Sequence, residues 1–335
     1  MQAIVFDNTG LPTEVLELRE VKKPKPAAGE VLVKMLNAPI NQGDFLFIRN
    51  LYPDPKKPHL PGQVAGNYGT GVVVEKGPGA RMAEGTYVSI NYYNTWAEYA
   101  AIPENWLIPL PSGFAPEKAA QMMPLITAWD VVEATGAKTG EWIAVTAANS
   151  ANALMIMQLA IRKGIRVIAL VRKLPALDLR DFGAEVVIDL SANSANVPNA
   201  TNVPARIREI TAGKGVSAIA DAVGGPLLAD LVRNTAFGGR VIMYGGLSDQ
   251  TFELHNNDIY LNGLSIEPYI YRHFFTPPAP EEKATLDKMI AIASDPSFIA
   301  PISGRYRLDE YRTAVKASYS STPGSSSGKG LFIIG

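Results

Sequence analysis

The sequence predicts an α/β protein of two domains: a compact, partly barrel-like β domain followed by a doubly wound parallel sheet. Three observations point to it. The stretch from Trp142 to Arg172, WIAVTAANSANALMIMQLAIRKGIRVIALVR, reads as strand, small-residue turn, helix and second strand. From Pro116 onward helical and strand patterns alternate, as in a sheet with helical crossovers. Before Pro116 the apolar runs are short and broken by Gly and Pro clusters, the pattern of a β domain.

In chain order, strands are expected at 3–6, 30–35, 71–75, 87–90 and 96–102. Helices then follow at 116–121, 128–134, 153–162, 174–182, 203–211 and 227–235, and strands at 143–145, 167–170, 186–188, 218–221, 240–243 and 264–266. From Arg272 the tail predicts helices near 280–294 and 308–317 and a final strand at 330–334, which can return to the first domain. The division is therefore 1–118 with 272–335 for one domain and 119–271 for the other. Residues 191–203, SANSANVPNATNV, and 320–328, SSTPGSSSG, read as solvated loops. The second precedes Lys329, which serves either a phosphate or nothing beyond a linker.

The strand–turn–helix–strand unit is how a dinucleotide is held. A pyrophosphate sits over the unpaired N–H groups and positive dipole end of the helix. Asn149 and Ser150 would face it, with the backbone N–H groups of Ala151, Asn152 and Ala153. The ribose lies at the end of the second strand, where an acid bonds the 2′-hydroxyl of NAD and a guanidinium suits a 2′-phosphate. Arg172 and Lys173 stand there, without an acid, so NADPH is the expected cofactor. The turn has no glycine: Ala151 and Ala153 occupy the places where one is sought, and a plain buried βαβ unit is the alternative.

The chain has 335 residues, 47% hydrophobic and 19% charged, which fits a folded enzyme rather than a disordered chain. A net charge of −1 argues against a nucleic-acid surface or a polybasic membrane anchor. No apolar run approaches the ~20 residues that span a bilayer, and MQAIVFDNTG lacks the regions of a signal peptide, so a cytoplasmic protein is expected. There is no cysteine, which excludes disulfides and thiolate-bound metal. The three histidines, His59, His255 and His273, are far apart and lack metal-ligand spacing, so no metal is expected.

Three segments in order resemble the medium-chain dehydrogenase/reductase superfamily, and more closely its zinc-independent quinone oxidoreductases and 2-enoyl thioester reductases. NAPINQGDFLFIRNLY, from Asn37 to Tyr52, is similar to the family's N-x-x-D segment with a Tyr eight residues after the Asp. GNYGTGVVVEKG, from Gly66 to Gly77, matches G-x-E-G-x-G-x-V with a later Gly, except that Tyr68 replaces the Glu. AAQMMPLITAW, from Ala119 to Trp129, is followed by the βαβ unit, by DAVGG at 221–225 and by YGG at 244–246, as in the family's cofactor domain. The resemblance implies a GroES-like β domain, a Rossmann domain and a homodimer.

It also implies roles. Tyr52 would stand beside the nicotinamide, positioning substrate and donating a proton; its alternative is packing beneath the Pro-rich loop LYPDPKKP. Asn41 would lie near the substrate carbonyl, or bond its own loop backbone. Thr127 would approach the carboxamide or ribose of the cofactor, or cap a helix. Gly224, Gly225, Tyr244, Gly245 and Gly246 would line adenosine and ribose. Tyr269, Ile270 and Tyr271 would sit by the nicotinamide, or pack at a domain or subunit contact. In the zinc-dependent branch a Cys and a His occupy the places of Asn41 and Asn67, so no Lewis acid is expected for alcohol oxidation.

What remains is hydride reduction of an activated C=C bond or a quinone, with the oxyanion held by hydrogen-bond donors. A 2-enoyl thioester reductase is the alternative; Lys56 and Lys57 would then offer a basic surface for the phosphates of coenzyme A or a carrier protein. A non-enzymatic NADPH-binding protein is the reading of another class.

Overall fold

The computed structural model describes residues 1–193, 202–319 and 327–335. Residues 194–201 and 320–326, most of the two Ser-rich loops expected from composition, lie outside the described residues. The chain divides into two compact units: Met1–Met123, Arg272–Ser321 and Lys329–Gly335 form one, and Pro124–Tyr271 with Thr322–Gly328 the other.

The first unit is built on the long strand Glu30–Ile40. Its first half pairs antiparallel with Tyr99–Pro103 on one side and Gly69–Lys76 on the other; its second half pairs with Lys329–Ile333. Register shifts at Leu32/Val33 and Met35/Asn37 bend it, as bulges do. Tyr87–Ile90, Leu107–Pro109 and Ile302–Tyr306 complete this seven-stranded sheet, and a three-stranded sheet is centred on Gln2–Phe6. Phe6, Phe45, Phe47, Ile48, Trp96 and Phe332 form a buried cluster, three of them within seven residues of Asn41 in sequence. Excluding water there is what makes neighbouring polar groups costly and informative.

The second unit is a six-stranded, all-parallel sheet ordered Val186–Asp189, Arg166–Val171, Trp142–Val145, Val216–Asp221, Thr235–Met243, Ser265–Pro268. This is the Rossmann order 3-2-1-4-5-6, whose direction reverses between Trp142–Val145 and Val216–Asp221. Every residue of Trp142–Val145 is buried, as a strand covered on both faces requires. Ile168, Leu170, Ile219, Leu231 and Val241 pack in the core beside it.

Three expectations need correction. Residues 174–182 do not form a helix; only Leu179–Phe182 makes a 3₁₀ turn. Pro175 disfavours helical geometry at Leu174, the Asp178 carboxylate accepts from the Arg180 N–H to start the turn, and Gly183 at φ +100° ends it. The helix expected at 128–134 spans Met122–Thr135, so Thr127 lies inside it and caps nothing. The helix expected at 153–162 begins at Ala151. A helix not foreseen, Gln42–Ile48, follows Asn41.

Candidate functional site

In the second unit, the open end of the parallel sheet is organised by hydrogen bonds across the point where strand order reverses. The Thr146 hydroxyl donates to Asp221 Oδ1 at 2.7 Å and accepts from the Ala222 N–H at 2.9 Å. Asp221 also accepts from the N–H groups of Val223 and Gly224. Burial raises the Asp221 carboxyl above its ordinary range, against these bonds. Gly224 adopts φ +73°, ψ −151°, a conformation only glycine takes without strain, and opens the helix Gly225–Val232.

The glycine-free turn solves its geometry differently from the expectation that focused on Ala151 and Ala153. The left-handed residue is Ala147, at φ +45°. Ser150 is the N-cap: its hydroxyl accepts from the Ala153 N–H at 3.3 Å. The Ala153 N–H expected to face a phosphate is thus engaged by the protein, while those of Ala151 and Asn152 belong to the first turn, which a helix cannot satisfy internally. Asn149 is buried, and Asn152 Oδ1 is enclosed without a partner among the described residues. Arg172 and Lys173 follow the end of Arg166–Val171 and are exposed.

Other candidates on this unit fall in two groups. Tyr244 follows the strand Thr235–Met243; burial, then the charge of Asp221, holds its hydroxyl protonated well above the usual range, with Ser150 opposing. Gly245 and Gly246 are exposed beyond it. Thr127 is buried mid-helix. The Tyr269 hydroxyl donates to Asp130 at 2.9 Å, Ile270 is 64% exposed and Tyr271 is buried.

The first unit carries a different cluster, centred on Asp44. This carboxylate is fully buried and accepts three hydrogen bonds: from the Asn41 N–H at 2.8 Å, the Asn67 N–H at 3.0 Å and Asn67 Nδ2 at 2.8 Å. The first is the return half of a capping box, Asn41 at the N-cap and Asp44 at the third helical position. The family-like N-x-x-D is therefore also a helix start signal, one that sequence reading passed over. Burial raises the Asp44 carboxyl, against these bonds and the charge of Lys329. Both polar atoms of the Asn41 side chain, and Asn67 Oδ1, have no partner among the described residues.

Tyr52 stands over this helix. Its ring meets Phe274 edge-to-face at 4.7 Å, and a Cβ on Gly43 would come within 2.6 Å of its hydroxyl. Gly43 is thus the residue that lets the phenol approach the helix backbone. Burial, then the Asp44 charge, keeps the Tyr52 hydroxyl protonated well above its ordinary range. Lys329 opens the strand Lys329–Ile333 in this unit; burial lowers its ammonium to about 8, with Asp44 opposing. Lys56 does not provide the basic surface expected of it: it is buried, while Lys57 is half-buried.

Zinc does not fit this cluster. The places of its Cys and His ligands hold Asn41 and Asn67, the chain has no cysteine, and His59 and His255 are exposed while His273 is buried near Glu282. Among the described residues no group of three His, Cys, Asp or Glu could hold an ion. Among the same residues no helix is long and apolar enough to cross a membrane.

Two family patterns match in chain order: "Alcohol dehydrogenase GroES-like domain" over residues 27–112 and "Zinc-binding dehydrogenase" over residues 153–291. The enoyl-[acyl-carrier-protein] reductase, mitochondrial, of Xenopus tropicalis is 28% identical over 342 residues, spanning 95% of this chain and 91% of the relative. Escherichia coli quinone oxidoreductase, solved in complex with NADPH, is 21% identical with a TM-score of 0.85, over 99% of this chain and all of the other. A solved NAD-dependent alcohol dehydrogenase is 25% identical with a TM-score of 0.83, over the whole of both chains. The chain belongs to the medium-chain dehydrogenase/reductase superfamily, with a GroES-like domain and a Rossmann domain.

Proposed function

We propose that this protein is an NADPH-dependent oxidoreductase that reduces an activated C=C bond or a quinone without a metal. The observation that carries the reading is the end of the strand Arg166–Val171, where exposed Arg172 and Lys173 follow and no acid stands to bind a ribose hydroxyl. NADPH in complex with the quinone oxidoreductase relative supports the same cofactor. The residues present suit it: the N-terminus of Ala151–Arg162 for the pyrophosphate, Arg172 and Lys173 for the 2′-phosphate, and Gly224, Tyr244, Gly245 and Gly246 for adenosine and ribose.

When bound, the cofactor supplies a hydride. The chain supplies the rest. Ser150 and the first-turn N–H groups orient the pyrophosphate. Tyr52, held protonated, positions the acceptor by a hydrogen bond to the oxygen that gains charge. Asn41, whose amide is buried and unpartnered, offers a donor to the same oxygen. Thr127, Tyr269, Ile270 and Tyr271 are assigned to the nicotinamide end, and Lys329 to the Asp44 cluster rather than to a phosphate, since Asp44 is the acid whose charge it feels.

A 2-enoyl thioester as the substrate is the second reading, favoured by the name of the Xenopus relative. Anaerobic mixing of the chain with NADPH or NADH and a panel of enones, quinones and crotonyl thioester tests both. Loss of reduced-nicotinamide absorbance with an enone or quinone, faster with NADPH, is expected. Turnover confined to the thioester selects the second reading, and no turnover with any acceptor contradicts both.

A further inference from the structure

One buried cation in the first unit has no role in the chemistry above. Lys56 is 6% exposed, in a loop whose sequence, LYPDPKKP, suggests a solvated lysine pair. Its Nζ lies 4.3 Å from the ring centroid of Phe274, 5.4 Å from Tyr93, 5.6 Å from Tyr68 and 5.7 Å from Tyr52. Aromatic faces attract an ammonium but accept no ordinary hydrogen bond from it. Among the described residues Lys56 has no salt bridge, and its ammonium has no hydrogen-bond acceptor. Nζ is nevertheless not one of the fully enclosed polar atoms.

The nearby acid, Asp44, forms no salt bridge with it. Asp44 spends Oδ2 on the Asn41 N–H and Oδ1 on both nitrogens of Asn67. Where the family pattern has a Glu, the chain has Tyr68, so an aromatic face replaces a second carboxylate beside the ammonium. Lys56 is therefore a largely buried cation with three donors, ringed by aromatic faces and sharing with Asn41 the neighbourhood of Asp44. What satisfies it is an oxygen that bears or gains negative charge on a flat, conjugated molecule.

We infer that Lys56 is the oxyanion-binding group of this enzyme: its ammonium receives the carbonyl oxygen of the acceptor substrate and holds the charge that oxygen takes on during reduction. The inference rests on the reductase reading and names its electrophile. Hydride adds to the carbon conjugated to the carbonyl. The C=C electron pair shifts toward the carbonyl carbon, and the C=O π pair becomes a lone pair on oxygen. Lys56 donates a hydrogen bond to that oxygen and can pass it a proton; the neutral amine then regains a proton from water. Burial lowers the ammonium to about 8, with Asp44 opposing, which eases that transfer near neutral pH. The other titratable or charged groups around it are Tyr52 and Lys57 on its loop, Tyr68, Tyr93, Lys329 through Asp44, and, on the Phe274 segment, His273 and Arg272, which lie by Glu282.

The test uses Lys56→Met, which keeps an apolar stem of similar length, and Lys56→Arg, which keeps a fixed charge. The probe is 4-nitrophenolate, a flat oxyanion whose absorbance reports binding without cofactor or turnover. Phenolate affinity at least tenfold weaker in Lys56→Met and retained in Lys56→Arg is expected, with the melting temperature of Lys56→Met unchanged or raised. In turnover, kcat of Lys56→Met falls at least a hundredfold with NADPH affinity unchanged, and the alkaline fall in rate near pH 8 disappears. Equal phenolate affinity in all three proteins overturns the inference. So does Lys56→Met turnover within threefold of the unsubstituted chain. If the unsubstituted chain reduces no acceptor while phenolate binding still depends on Lys56, the reductase reading fails and the oxyanion site stands.

Discussion

The two polar clusters of this molecule are opposites. At the open end of the parallel sheet, Thr146, Asp221 and Gly224 bond to one another and Ser150 caps the helix through the Ala153 N–H, while the cations Arg172 and Lys173 are exposed. Around Asp44 the carboxylate accepts three hydrogen bonds, while among the described residues the Asn41 amide, Asn67 Oδ1 and the Lys56 ammonium have no hydrogen-bond partner, the last in an aromatic setting. A self-satisfied scaffold suits a ligand gripped by backbone and surface charge. An unsatisfied interior suits one that completes it only while charge is developing.

The sharpest way to break this comparison is at Asp44. Asp44→Ala leaves three buried donors unmet and removes the anion nearest two buried ammonium groups. A loss of about 3–5 kcal/mol in unfolding free energy is expected, measured by urea titration; a loss below about 1 kcal/mol means that the carboxylate does not organise the cluster.

Tyr52→Phe comes next. It keeps the ring against Phe274 and removes the hydroxyl, so kcat should fall about 10- to 1000-fold while NADPH affinity holds. Unchanged turnover with a chemistry-limited substrate leaves Tyr52 a packing residue. Gly43→Ala sharpens the same point, because the new methyl meets the Tyr52 hydroxyl while alanine favours the helix by up to ~1 kcal/mol. Activity should drop with stability level or raised; a parallel loss of both argues for mere disruption.

Stability should also carry the signature of the buried ammonium. Lys56 has its folded pKa lowered from 10.5 to about 8, so between those values the unfolded chain binds more protons and stability rises with pH. The full interval amounts to roughly 3 kcal/mol, shared in kind by Lys329. Lys56→Met should flatten part of that rise in melting temperature from pH 8 to 10.5. An unaltered pH profile contradicts the burial of this charge.

The smallest effect belongs to the other cluster. Arg172→Ala should erase a preference for NADPH over NADH of about tenfold, the worth of one charge-assisted contact, and leave NADH binding almost unchanged. Equal binding of both by the unsubstituted chain removes the basis for the cofactor assignment.

The two regions also differed in how much of them the sequence disclosed. The Rossmann unit was legible because buried parallel strands are continuous apolar runs and the crossover helix is a long periodic one; Trp142 to Arg172 needed only boundary shifts. Leu179–Phe182 was over-read as part of a helix because good helix formers outweighed one proline. In the β unit, Asn41, Asp44 and Tyr52 were legible as a pattern, but the short helix Gln42–Ile48 was not, since seven residues hold less than two full periods. Lys56 was beyond reach. Its cage draws on Tyr68, Tyr93 and Phe274, far apart in sequence, and a Lys-Lys pair among prolines carries every local mark of a solvated turn.

The central proposal is that the Asp44 cluster assists hydride transfer from NADPH with protein groups and no metal. The direct measurement is turnover of NADPH with an enone or quinone by protein whose metal content has been brought below one-tenth of stoichiometric by chelation (about a tenfold depletion, ample against a tight site) and verified by elemental analysis. Undiminished turnover that added zinc does not raise is the expected result. Activity lost with the metal and restored by zinc would contradict it.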